Sequence, residues 1–312
     1  MKRWTHSIGP AMTKIRLMLT IGMLAAAGTG RATGQGRTDI FVAPLQQTGR
    51  TVVVGAPVNV THRAGYDNQP SFTPDGAAIL YTSIGDDGRA STWTLRTAGG
   101  AAPSRVTNSA IGIYSPQVMP DGKFFSVIRV EPDSTQRLWK FPIGGGEPAL
   151  VIDRIKPIGY HTWVDARTVV VFVLGTPSTL QVVDVVTGSA TTVASNIGRA
   201  LVKVPHHDAV SFVQVVRDSG QWLAEYDVTT KAVRRLGRLP QGAEYVAWTP
   251  GGALITAARS VIYTWNDGEW VVAADLAAAG VRNISRLAIS PSGDQLALVA
   301  EDPPMPASRP LN

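Results

Sequence analysis

Apolar residues alternate with polar ones in short runs along this chain, and turn-forming residues punctuate the runs. The stretch Asn68-Gln69-Pro70-Ser71-Phe72-Thr73-Pro74-Asp75-Gly76-Ala77-Ala78-Ile79-Leu80-Tyr81 sets the pattern. It reads as two strands joined by a Pro-Asp-Gly turn. Pro74 presets φ, Asp75 bonds back to nearby backbone, and Gly76 takes a positive φ at no steric cost. The phrase returns at 116–127 and, worn, at 247–255 and 288–298. A strand-filled unit recurring every ~40–50 residues predicts a propeller or a related array.

Taken in order, the chain begins with strand-like segments at 38–45 and near 58–61, with no turn phrase before them. They read as the outer half of a repeat whose inner half lies elsewhere. The first full repeat places strands at 70–73, 77–83, 91–95 and 104–107. The second runs from Tyr114 through Asp121-Gly122 to a strand at 137–141 and the turn Gly144-Gly145-Gly146. The third has its hairpin at 161–166, then strands at 168–173 and 180–183. The fourth places strands at 201–204, 210–213 and 222–226. The fifth carries Pro250-Gly251-Gly252, and Asn266-Asp267-Gly268 joins 261–265 to 270–272. The sixth holds only two strands, 287–290 and 295–299, so residues 38–61 supply its missing half. The expectation is an all-β, six-bladed β-propeller of four-stranded antiparallel blades. N-terminal strands pairing with the C-terminal repeat close it, which removes open edges. A short alanine-rich stretch at 273–280 reads as one helical turn between blades.

Composition agrees: 31 Gly and 21 Pro with only 17% charged residues favour many short strands and turns. The absence of cysteine excludes a disulfide scaffold, a thiolate metal site and a cysteine nucleophile. Lys14 and Arg16 precede an apolar run at 17–27 followed by small residues, which reads as a signal peptide over 1–35. Met1 or Met12 can serve as the start. With no cysteine at the junction the expected product is periplasmic or secreted rather than a lipoprotein, with no membrane span after cleavage. The propeller is then expected over 36–302 and a Pro-rich tail over 303–312. Lys2, Arg3, Lys14, Arg16 and Arg31 all precede residue 35, so their removal takes the formal charge from +6 to +1. A nearly neutral domain carries no electrostatic footprint for nucleic acid.

The phrase Pro-x-Phe-Thr-Pro-Asp-Gly-x-x-Ile-x-Tyr resembles the TolB-type β-propeller repeat of exported bacterial proteins. The resemblance spans about 38–301 and is sharpest in the first, second and sixth repeats. The separate α/β domain that precedes such a propeller in TolB has no counterpart in the expected mature chain. The resemblance implies protein binding in the cell envelope. The wider family also includes propellers fused to peptidases and amidohydrolases, and propeller lyases.

Candidate chemistry is sparse. His206-His207-Asp208 has the composition of a metal cluster but falls on a hairpin turn, where turn filling is the simpler reading. Asp75 and Asp121 are turn formers by their repeat position. Asp86-Asp87-Gly88 lacks the spaced ligands and terminal Glu of a calcium loop, and Gly144-Gly145-Gly146 lacks the helix and Lys of a phosphate cradle. No G-x-S-x-G elbow is present. Trp93, Trp139, Trp222 and Trp265 recur at one repeat position and read as packing between blades. His62 falls between repeats. What remains is the ring just ahead of each first strand: Tyr66, Asp67 and Asn68; Tyr114; Tyr160 and His161; Arg199; Glu244 and Tyr245; Arg282 and Asn283. Tyr and Arg are enriched where proteins bind.

The sequence therefore predicts a monomeric, non-catalytic binding module with an envelope protein as partner and no cofactor or metal. The alternative is carbohydrate or small-ligand binding, or a lyase- or hydrolase-like activity, at the channel mouth. That alternative uses the mouth around His161, Arg199 and Glu244, and convergence of His161, Glu244 and Asp67 on one pocket is what its enzymatic form predicts.

Overall fold

The computed structural model describes residues 36–301 apart from Gly100, so the expected signal peptide and Pro-rich tail lie outside the described residues. Within them nearly all regular structure is β. Three strands come first: β1 (Thr38–Thr48), β2 (Thr51–Val54) and β3 (Val58–Asn59). A group of four follows: β4 (Tyr66–Phe72), β5 (Ala78–Ile84), β6 (Ala90–Arg96) and β7 (Ser104–Arg105). The next four are β8 (Ile113–Val118), β9 (Phe124–Val130), β10 (Gln136–Pro142) and β11 (Ala149–Leu150). Then come β12 (Ile158–Trp163), β13 (Thr168–Val173), β14 (Thr179–Asp184) and β15 (Ala190–Ser195). They precede β16 (Ile197–Lys203), β17 (Ala209–Val216), β18 (Gly220–Asp227) and β19 (Val233–Arg238). The last full group is β20 (Val246–Trp248), β21 (Leu254–Ala258), β22 (Val261–Asn266) and β23 (Glu269–Asp275). Two strands end the series, β24 (Arg286–Ile289) and β25 (Gln295–Glu301).

The groups beginning at β8, β12, β16 and β20 are each a four-stranded antiparallel sheet in chain order. The remaining strands form one nine-stranded sheet, ordered β24-β25-β1-β4-β5-β6-β7 with β2 and β3 also on β1. Its β1–β4 junction is a single parallel pair, Thr38 with Tyr66. The pairing expected between 39–45 and 295–299 is present: β1 runs antiparallel to β25 from Thr38↔Glu301 to Pro44↔Gln295.

Local chemistry sets the hairpins. Gly76, Gly122, Gly252 and Gly293 donate their N–H to the carbonyls of Thr73, Met119, Thr249 and Ser290 at 2.8–2.9 Å. All four glycines have positive φ, from 65° to 80°, a region that costs a side chain dearly. In the third repeat Asp165 replaces the glycine device, accepting from the backbone of Arg167 and Thr168 at 2.7 and 2.8 Å. The Asp267-Gly268 turn has positive φ at both residues, 46° and 95°, which matches the twist of its hairpin.

Alternation then buries both faces of the sheets. Val170 and Phe172 of β13 pack against Val210 and Phe212 of β17, while Val169 and Val171 pack toward Ile128 and Leu138. In β25, Leu296 and Leu298 join Ile255 and Ile262, and Ala297 and Val299 join Ile79 and Tyr81. Trp93, Trp139 and Trp265 pack against such clusters, at the positions expected for the repeat.

Two details differ from the sequence reading. Strand β4 starts at Tyr66 rather than residue 70, because its register shifts between Asn68 and Ser71. Similar irregularities interrupt β8, β12 and β16, and a bulge breaks the alternation by which a strand is recognised. Second, Ala273 and Ala274 belong to β23, and only Ala277–Ala279 form a 3-10 turn, ended by Gly280 at φ 81°. Edge pairing with β22 outweighs the helix preference of so short an alanine run. No helix among the described residues is long and apolar enough to cross a membrane.

Candidate functional site

The first strands of the sheets line one cavity of about 840 Å³. Gln69 of β4, Gln117 of β8, His161 of β12, Leu201 of β16, Trp248 of β20 and Ile289 of β24 all contribute to its wall. The bulges of β4 and β8 are held by a buried network. Gln69 Oε1 accepts from the Thr82 hydroxyl at 2.7 Å and from the Ser115 amide at 2.8 Å. That network fixes Gln69 and Ser115 at positive φ, 59° and 53°, strain of a kind that the surroundings must hold in place.

At the end where these strands begin, aromatic and cationic side chains gather. The Arg286 guanidinium lies 4.3 Å from the centre of the Tyr245 ring and 5.1 Å from that of Tyr160. Its Nη2 donates to the Tyr160 hydroxyl at 3.2 Å. Arg199 sits 5.9 Å from the Tyr245 ring and forms an ion pair with Glu244. Burial pushes the Tyr66 phenol up to about 12, although Arg286 pulls the other way. Burial also raises Tyr245, whose hydroxyl has no hydrogen-bond partner among the described residues. Tyr160 differs: burial works to raise it, but Arg286 and Arg199 together hold its phenol below the usual value. Both guanidiniums are shifted upward although burial opposes their charge, by the facing Tyr245 and Tyr160 and, at Arg199, by Glu244.

Deeper in the wall, His161 is 2% exposed. Its Nε2 lies 2.7 Å from the Ser126 hydroxyl, which accepts a 2.9 Å bond from Trp163 Nε1. Burial pushes the imidazole down to about 3, so it is neutral at ordinary pH, and Nδ1 has no partner among the described residues. Ser126 is completely buried, and no carboxylate among the described residues is bonded to His161. This serine–histidine pair therefore lacks the oriented base and accessible hydroxyl of a nucleophilic site.

The structure brings together Tyr66, Tyr160, Arg199, Glu244 and Tyr245, with Tyr114 beside Tyr66. His161 lies in the same cavity wall. Asp67 goes elsewhere: it is fully buried and takes two hydrogen bonds from Arg63, at 2.8 and 3.2 Å. Asn68 is engaged with the Thr38 hydroxyl and the Gln69 amide, and Asn283 donates to Glu301 at 2.7 Å. His161, Glu244 and Asp67 thus do not converge. The sequence reading named Arg282 and Asn283 and passed over Arg286. A spacing would have found it: Tyr160, Tyr245 and Arg286 each stand four residues before the first hairpin residue, Val164, Thr249 and Ser290.

The other candidates settle into structural roles. His206 lies in the β16–β17 turn with its Nε2 2.9 Å from the Pro250 carbonyl. Asp87 accepts from the Arg89 amide and pairs with Arg105. Among the described residues no group of three or more His, Asp or Glu is placed to hold a metal ion.

No protein-family model matches the chain, and no curated protein matches it. Solved structures do. A TolB-type protein from Agrobacterium tumefaciens is similar with a TM-score of 0.65 and 18% identity, over 86% of this chain and 100% of that one. TolB from Acinetobacter baumannii follows with a TM-score of 0.56 and 15% identity, over 86% of this chain and 64% of that one. An oligogalacturonate lyase solved with manganese gives 0.51 and 15%, over 86% and 98%. At these identities the likeness is one of fold: the chain has a TolB-like β-propeller architecture.

Proposed function

We propose that residues 36–302 form a six-bladed propeller closed where β1 joins β25, and that it is a non-catalytic module binding a protein partner in the periplasm or cell envelope. Six apolar clusters support the blade count, one between each successive pair of strand groups. The sequence pattern at 1–35 supports export, and the TolB-like architecture favours a binding role over a catalytic one.

The observation that carries this reading is the gathering of Tyr66, Tyr114, Tyr160, Tyr245, Arg199 and Arg286 at one end of the cavity. Tyr and Arg give large contact area and directed hydrogen bonds at protein interfaces, while the Glu244 carboxylate there is paired with Arg199. Affinity capture from an envelope extract tests it, comparing the full chain with a Tyr114→Ala/Tyr245→Ala double variant. A partner recovered with the first and lost with the second supports the reading. Identical recovery with both removes this face from consideration. A second reading, binding of a small molecule or glycan in the cavity, is favoured by the cavity itself and by the polar groups at its Arg286 end.

A further inference from the structure

We infer that the Arg286 end of the cavity is a binding site for a carboxylate group, supplied either by a small organic acid or by the C-terminus of a peptide. Two guanidiniums, Arg286 and Arg199, are close enough to oppose each other's protonation, and one carboxylate, Glu244, is committed to Arg199. Among the described residues Arg286 forms no ion pair, and its hydrogen bond goes to the Tyr160 hydroxyl. A partly desolvated cation with only aromatic faces beside it leaves a surplus positive charge that an anion relieves.

Geometry narrows the anion. A guanidinium lying over aromatic rings keeps its planar edge for a ligand, and two parallel N–H groups on that edge match the two oxygens of a carboxylate. Tyr160 Oη accepts from Arg286, so the phenol's own proton is left to donate to the same ligand. One surplus charge suits a monoanion better than a sulfate or phosphate dianion. Beyond the polar end the wall turns apolar, with Leu201, Trp248, Leu287 and Ile289 lining the cavity, which suits an aliphatic or peptidic body behind the carboxylate. This site shares Arg286, Arg199, Tyr160 and Tyr245 with the protein-partner reading and rests on the same face. It is tested with small probes, so either can hold while the other fails.

Calorimetric titration of the full chain tests the site with four probes: trialanine, its C-terminal amide, hexanoate and sulfate. The free acid is expected to bind at least about tenfold more tightly than the amide. Arg286→Gln should remove that preference, and Arg286→Lys should weaken it while keeping the charge. Tighter binding of trialanine identifies a chain end as the ligand, and tighter binding of hexanoate identifies an organic acid; both support the site. Equal binding of acid and amide, no binding of any carboxylate, sulfate exceeding both acids, or an unchanged Arg286→Gln overturns it. If Arg286→Gln does not fold, Tyr160→Phe and Arg199→Gln decide. Both should weaken the free acid, and full affinity in both overturns the proposal.

Discussion

The two ends of the cavity are built on opposite rules. Where the first strands finish, the same turn recurs: a glycine N–H donates to the carbonyl three residues back around Thr73, Met119, Thr249 and Ser290. Where those strands begin, the residues change from sheet to sheet, and four of the chain's seven tyrosines gather with two arginines. The recurring end satisfies backbone groups and sets the hairpins. Among the described residues, the varied end holds a buried hydroxyl without a partner and a guanidinium without a counter-ion. Repetition marks what every sheet needs to fold; departure from it marks what the assembled sheets can bind.

The largest expected effect cuts across that division. His161 lies just inside the varied end, yet it is buried and neutral, with its imidazole depressed to about 3. The unfolded state binds the proton more readily, so this contribution is complete above about pH 6.5 and is lost as pH falls toward 3. The full loss is at most roughly 5 kcal/mol. Acid denaturation followed by circular dichroism should therefore be less steep in His161→Gln over that window. An unchanged slope would show that the histidine titrates normally.

Next comes Gly122→Val at the recurring end. A Cβ there meets nothing within 4 Å, so the cost is that of the 65° φ alone, roughly 1–2 kcal/mol. Denaturant midpoints should fall while carboxylate binding stays as in wild type; lost binding would mean that the two ends are coupled. Phenol ionisation then sharpens the picture of the varied end. The most acidic phenol in a near-ultraviolet titration should disappear in Tyr160→Phe, because Arg286 and Arg199 overcome burial at that residue. Tyr66, held up to about 12, should titrate late. The smallest effect belongs to Asp75, whose carboxyl is held below its usual range chiefly by the Thr73 hydroxyl. Its contribution is present above about pH 4 and lost as pH falls. Thermal midpoints of Asp75→Asn and wild type should therefore draw together in acid, and a gap that persists there would contradict the assignment.

Local rules made the recurring end readable in advance. Pro-Asp-Gly spacing gave the hairpins, strict alternation gave strands such as β13 and β25, and the lack of two strands in the last repeat pointed to the β1–β25 pairing. The starts of β4 and β16 were hidden because irregularities at Asn68–Ser71 and Ile197–Leu201 break the two-residue period. Asp67 read as a rim carboxylate because nothing in the sequence reveals that Arg63, four residues earlier, folds over to neutralise it. Arg286 lies beyond the loop before β24, and its importance comes from Tyr160 and Tyr245, which belong to other sheets.

The β1–β25 pairing has a consequence for biogenesis. As the chain is synthesised, β1 appears well before β25, the partner that covers its edge. Until then one long backbone edge is uncovered while the intervening sheets are already assembling. Such an edge is a template for stray strands, so the interval before the last segment arrives is when a shielding factor matters most.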